Sequence, residues 1–140
     1  MKFIKVTTKK PALELNEEFL NIPPVISARI FTLESEIKDF ALENRLVSSV
    51  YMTPTAYQWF EWQQLYKTTD VEFIIEDLTA EALYGFYNNQ DADVVEALSN
   101  WKFQELLKHF IDMNSDTDTV LEKISKHGIG SLTEADRHFL

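Results

Sequence analysis

Glu105, His109 and Asp112 recur at intervals of four and three residues. A helix through this segment sets all three on one side, where two carboxylates and an imidazole can hold a divalent cation and assist a hydrolysis. The plainer reading of the stripe is an exposed face balanced by Lys102 and Lys108. Zinc proteases place two histidines around a glutamate on one helix, and His109, His127 and His138 lie too far apart in the chain for that. Asp112, Asn114, Asp116 and Asp118 put oxygen donors at alternate positions, as calcium loops do. That template then requires a glycine and a bidentate glutamate where this chain has Thr117 and Lys123, and a start at Asn114 offers Thr119 and Ser125 instead. A solvated loop leading into a helix cap is the better reading, and no metal site is expected.

Nucleophile chemistry has as little to stand on. There is no cysteine, so thiol catalysis, thiolate zinc and a disulfide scaffold are all excluded. Neither the glycine-flanked serine of hydrolases nor a phosphate-cradling or dinucleotide-binding glycine loop is present, and the three glycines of the chain cannot build one. No pair of carboxylates stands out for glycoside or phosphoester work. The expectation is a protein without catalysis and without a cofactor.

What remains is surface. The run Tyr57 to Tyr66 is dense in rings, and a helix sets Trp59, Trp62 and Tyr66 on a shared face with Phe60 on a neighbouring one. Such a face is core by the weight of its area, or it supplies the ring anchors of an interface. The formal charge is −10. Lys2, Lys5, Lys9 and Lys10 crowd the start of the chain without an acid among them, which makes the remainder more anionic still. Residues 70 to 118 hold twelve acids, including Asp70, Glu72, Glu76, Asp77, Asp91 and Asp93, against Lys102 and Lys108. One sign of charge over such a stretch repels nucleic acid and anionic lipid and attracts basic surfaces. A solubilising coat is the bland account of those acids, and a face turned toward a basic partner is the sharp one.

The elements that must carry these residues read as mostly helix. With 140 residues, 45% of them hydrophobic and 13% aromatic, the chain suffices for one compact domain over 1–140. A mainly α-helical domain is expected, with room for a small two- or three-stranded β element formed by the first residues and the neighbourhood of Val71. Residues 1–10 read as a basic edge strand or arm. Asn16 to Leu20 reads as a helical turn closed by Pro23-Pro24. Ile26, Ile30, Leu33, Ile37, Phe40, Asn44 and Val47 follow a 4-3-4-3 spacing, which predicts one long helix over 26–47, packed in a core or paired as a dimer seam. Val47 to Met52 reads as extended. Thr53-Pro54 reads as cap and first turn of a helix running to Lys67. Val71, Phe73 and Ile75 alternate as a short strand or connector.

Thr79 is expected to cap a helix that stops near Asn88-Asn89, with Leu78 stapled onto Leu83. Asp93 and Glu96 have capping-box spacing ahead of a longer helical pattern that Ser99-Asn100 bends. A last helix starts at Asp118 or Thr119 and runs to His127, with Gly128 as a left-handed stop and Ile129 packing back on Ile124. A final capped turn follows at Ser131 or Thr133. No apolar run is long enough to span a membrane. Met1-Lys2-Phe3-Ile4-Lys5-Val6 lacks the apolar stretch of a signal peptide, which points to the cytoplasm.

The segment Asp118 to Leu140, an amphipathic helix followed by a glycine stop, Ser131-Leu132-Thr133, acids and Phe139-Leu140, resembles a short C-terminal module appended to some bacterial rhomboid-family membrane proteins. It departs at Gly130, where that family often has a polar residue, and at Ala135, where an acid is common. The resemblance implies a bacterial origin and a helix-turn-helix hairpin over 118–140, and no protease activity.

The preferred function is thus a non-catalytic acidic interaction module of bacterial or phage origin. It would bind and modulate or inhibit a basic protein, such as a nucleic-acid-binding enzyme whose groove is made for phosphates. Trp59, Trp62, Tyr66, Asp70, Glu72, Glu76, Asp77, Asp91 and Asp93 are the expected surface. The competing readings are a small metal-assisted hydrolase using Glu105, His109 and Asp112, and a structural subunit dimerising through 26–47.

Overall fold

Ile4 and Val6 alternate with Phe3, Lys5 and Thr7, a two-residue period that puts apolar side chains on both faces of a strand. A computed structural model describes residues 1–8, 21–43, 48–87, 91–114 and 117–137. By their internal contacts the residues group into two units, Lys2–Asp77 and Leu78–Leu140, the latter with Met1.

In the first unit β1 (Ile4–Thr8) is followed by α1 (Pro24–Glu36), β2 (Asp39–Glu43), β3 (Ser48–Met52), α2 (Ala56–Lys67) and β4 (Phe73–Asp77). The strands lie in the order β2-β3-β1-β4, each antiparallel to its neighbours, with Ile4 opposite Met52 and Asp77, and Val6 opposite Val50 and Ile75. Among the described elements this βαββαβ connectivity is the ferredoxin-like arrangement. Ile4, Val6, Val50 and Met52 present one face to Ile30 and Leu33 of α1 and to Trp59, Trp62, Leu65 and Tyr66 of α2. On the opposite face Phe3, Lys5, Phe40 and Tyr51 are buried too, and the Lys5 ammonium lies 5.6 Å from the centre of the Tyr51 ring.

The expected mainly helical fold is therefore corrected to a mixed α+β one with a four-stranded antiparallel sheet. Two misreadings account for it. The long helix over 26–47 stops at Glu36, where Ile37 turns extended, and Phe40 belongs to β2. From Ile37 to Phe40 the spacing also suits a strand, since Phe40 and Leu42 alternate with Asp39 and Ala41, and pairing with β3 settles the ambiguity. Asn44 and Val47 lie outside the described residues, as do Asn16 to Leu20. The expected strand at the start of the chain is present as β1, but inside the sheet and not at its edge, since it is paired on both sides; residues 9–10 lie outside the described ones. A lysine in a short strand is usually an edge signal, but here its stem is buried against a ring.

Helix α2 ends at Lys67 as its pattern predicts, but it starts later than Thr53. Thr55 is the cap: its hydroxyl accepts from Gln58 N–H at 3.1 Å, and its own N–H donates to Gln58 Oε1 at 2.9 Å. Thr53 is buried, with its N–H donating to the Lys38 carbonyl at 3.0 Å.

The second unit comprises α3 (Thr79–Leu83), α4 (Ala92–Leu98), α5 (Trp101–Asn114), α6 (Thr117–His127), a 3-10 turn (Ile129–Ser131) and α7 (Glu134–Arg137). Phe103, Leu106, Leu107, Phe110 and Ile111 make a buried stripe on α5, joined by Val94 and Ala97 of α4. Helix α3 is shorter than expected and has no side-chain cap; Leu78 occupies the cap position. Asn88-Asn89 lies outside the described residues. Asp91 caps α4, accepting from Asp93 N–H at 2.9 Å, in place of the expected Asp93–Glu96 box. Asn100 interrupts the pattern as foreseen, its side-chain oxygen accepting from Lys102 N–H. Gly128 takes the left-handed φ of 75° that a helix stop requires. In the final turn Thr133 N–H donates to Asp136 Oδ2 at 3.0 Å, and Asp136 N–H donates to Thr133 Oγ1 at 3.3 Å. The Ile129 side chain lies outside the described ones.

Candidate functional site

Trp62 and Tyr66 are one helical turn apart on α2, so the polar edges of both rings reach the same neighbour. That neighbour is Glu34 of α1. Its Oε1 accepts from Trp62 Nε1 at 3.1 Å and from the Tyr66 hydroxyl at 2.8 Å. Trp59 stacks on Trp62 at 5.1 Å between ring centres, Tyr66 lies 4.3 Å from Trp62, and Phe73 of β4 meets Tyr66 edge-on at 5.0 Å. Burial, and then the charge and hydrogen bond of Glu34, push the Tyr66 phenol well above its ordinary range.

Beside these rings, between the sheet and the two helices, lies a cavity of ≈ 200 Å³ whose lining includes Val6, Ile37, Met52, Glu34 and Asp39. Although much of Asp39 is exposed, partial burial raises its carboxyl above the usual carboxylate range. A second, shallow groove of ≈ 250 Å³ runs from α2 to β4, lined by Trp62, Tyr66, Val71, Phe73 and Ile75 with Gln63, Lys67 and Thr69.

β4 is the last strand of the sheet, and among the described residues no further strand pairs with its outer edge. Ile74 and Ile75 on it are 48% and 44% exposed. Asp70, Glu72 and Asp77 are exposed around it and Glu76 is half-buried, while Lys2 Nζ stands 3.5 Å from Asp77 Oδ2. Four of the expected acids thus gather at one sheet edge.

The expected ring anchors do not join them at the surface. Trp59, Trp62 and Tyr66 are 8%, 3% and 8% exposed and belong to the core. The exposed rings of α2 are Tyr57 and Phe60. Asp91 and Asp93 are exposed at the start of α4 in the other unit. Glu105, His109 and Asp112 share α5, but among the described residues no three histidine, aspartate or glutamate side chains are grouped to hold a metal. Asp116 lies outside the described residues, and so does the side chain of Asp118. No helix among the described residues is long and apolar enough to cross a membrane.

Sequence reading missed Glu34 and Asp39, since neither belongs to a motif. The available signal was indirect: two rings with polar edges, four apart on an apolar face, need an acceptor on the opposing helix. It also missed the buried pair of the second unit. There Lys123 Nζ donates to the Leu83 carbonyl and to Asp136 Oδ2, and stands 5.3 Å from the centre of the Tyr84 ring. Burial alone would raise the Asp136 carboxyl, but the Lys123 hydrogen bond and charge, with the two hydrogen bonds from Thr133, hold it below the usual range. No protein-family model, no curated protein and no solved structure matches this chain.

Proposed function

We propose that this chain is a non-catalytic, acidic interaction protein that takes an extended basic segment of a partner protein along β4 and thereby modulates or inhibits that partner. The observation that carries the reading is the outer edge of β4, with which no described strand pairs, bearing Ile74 and Ile75 with Asp70, Glu72, Glu76 and Asp77 close by in the chain. Unpaired N–H and C=O groups on a sheet edge supply main-chain hydrogen bonds to an added strand, and alternate side chains of that strand fall over the groove beside Val71 and Phe73. Charge chooses the occupant. Glu76 and Asp77 oppose a second copy of the same acidic edge, as charged edge residues commonly do, yet they favour lysine and arginine. Steering by the net charge speeds the encounter. An enzyme with a groove made for phosphates offers such a segment, and a cytoplasmic partner is the natural choice.

A fluorescently labelled peptide of alternating lysine and valine is the test. Its affinity falls steeply as salt rises, and changing Glu72 and Glu76 together to glutamine weakens it about tenfold. A complex indifferent to salt, or one unaffected by the two changes, contradicts the reading.

A further inference from the structure

The cavity between the sheet and the helices of the first unit holds an imbalance of charge. Glu34 and Asp39 both line it, and no lysine, arginine or histidine does so among the described residues. The two donors from α2 occupy Glu34 Oε1 and aim the carboxylate; among the described residues nothing partners Oε2, and nothing partners the Asp39 carboxylate. Glu34 is half-buried and Asp39 largely exposed, and a carboxylate held against apolar walls is the group that a cationic ligand with an apolar stem answers best.

The remaining walls say what kind. Val6, Ile37, Val50 and Met52 are aliphatic, and Trp62, Tyr66 and Phe73 bring electron-rich rings. Aliphatic walls accept a hydrocarbon stem, ring faces attract a cation, and a carboxylate oxygen fixes an ammonium head. At ≈ 200 Å³ the space falls below the roughly 300–1,000 Å³ of drug-sized sites, so the occupant is small. Carboxylates and phosphates are repelled, and a bare metal ion gains nothing from the hydrocarbon walls.

We propose that this cavity binds a small alkylammonium ion, with Glu34 as the principal counter-ion and Asp39 as the second. The ion is either a free amine or the lysine side chain of a bound protein, which share the same chemistry. The inference stands apart from the β4 edge and survives if no peptide binds there.

Its test needs no partner. The full chain is titrated with pentylammonium, pentanol and pentanoate while the indole N–H resonance of Trp62, which donates to Glu34, is followed by NMR. Pentylammonium moves that resonance saturably and binds about tenfold more tightly than pentanol, and pentanoate leaves it in place. Glu34→Gln abolishes the preference for the amine. Should that variant fail to fold, Asp39→Asn, at an exposed position whose side chain makes no hydrogen bond to a described residue, reduces the amine affinity several-fold in a folded chain. A glycine-serine peptide with a single lysine distinguishes the source: a lower half-saturation than pentylammonium assigns a side chain, a higher one a free amine. Equal binding of pentanol and pentylammonium, no response to the amine, or unchanged amine affinity in the folded Asp39→Asn chain overturns the proposal.

Discussion

In the unit Leu78–Leu140 the buried carboxylate of Asp136 meets an ammonium, Lys123, and the backbone N–H of Thr133. In the unit Lys2–Asp77 the carboxylate of Glu34 meets, among the described residues, the neutral donors of Trp62 and Tyr66. The first arrangement closes its own charge balance and so serves the fold. The second orients a charge that no described residue compensates, which a fold alone does not require. The same acid chemistry thus separates a structural site from a candidate binding site, and the separation shows in what answers the charge.

The contrast can be broken first where the stabilising term is largest. Lys123→Met leaves Asp136 charged in an apolar setting and costs about 3–5 kcal/mol in urea unfolding, while Lys123→Met combined with Asp136→Leu costs much less. A double variant as unstable as the single one would mean that the pair is held by more than its mutual charge. The pH dependence has a fixed sign. Because the folded carboxyl of Asp136 is held below the unfolded value of about 3.9, its contribution is full above that value and is lost as pH falls through the lower folded one.

The Glu34 cluster gives the opposite sign at the other end of the scale. Tyr66→Phe removes one donor and costs about 1–2 kcal/mol. In the parent chain the raised phenol of Tyr66 contributes stability that is full below about pH 10 and declines as pH rises beyond it, since only the unfolded tyrosine ionises there. Urea unfolding between pH 8 and pH 11 checks this, and the part of the decline due to Tyr66 vanishes in Tyr66→Phe.

How much of this was legible depended on whether one local period had a single meaning. The end of α2 at Lys67, the interruption at Asn100 and the stop at Gly128 rest on local chemistry and were readable. The 4-3-4-3 run was not, because Phe40 continues the helical spacing while Phe40 and Leu42 also alternate as a strand does, and only β3 decides between them. The interior position of β1 was hidden for the same reason: two partners distant in sequence cover what reads as a basic arm. For the candidate site, the acids near β4 were visible as composition, while the open edge that gathers them was not. Trp59, Trp62 and Tyr66 were singled out from their spacing, yet their spacing carried no information about which side of α2 is covered.

Smaller effects sharpen the contrast further. Ile74→Lys on β4 changes stability by no more than about 0.5 kcal/mol, as exposed positions do, but weakens the lysine-valine peptide by charge repulsion. Asp39→Asn removes a carboxylate that burial already disfavours, so the melting temperature rises slightly as amine affinity falls. A fall in both would place Asp39 among the structural acids instead.

The measurement that bears most directly on the central claim, that the acidic edge along β4 receives a basic segment of a partner, is amide hydrogen exchange of the full chain with and without the alternating lysine-valine peptide. The account predicts new protection at Phe73 to Asp77, reversed by high salt and absent with an alternating glutamate-valine peptide. Unchanged exchange along β4, or equal protection by the acidic peptide, contradicts it.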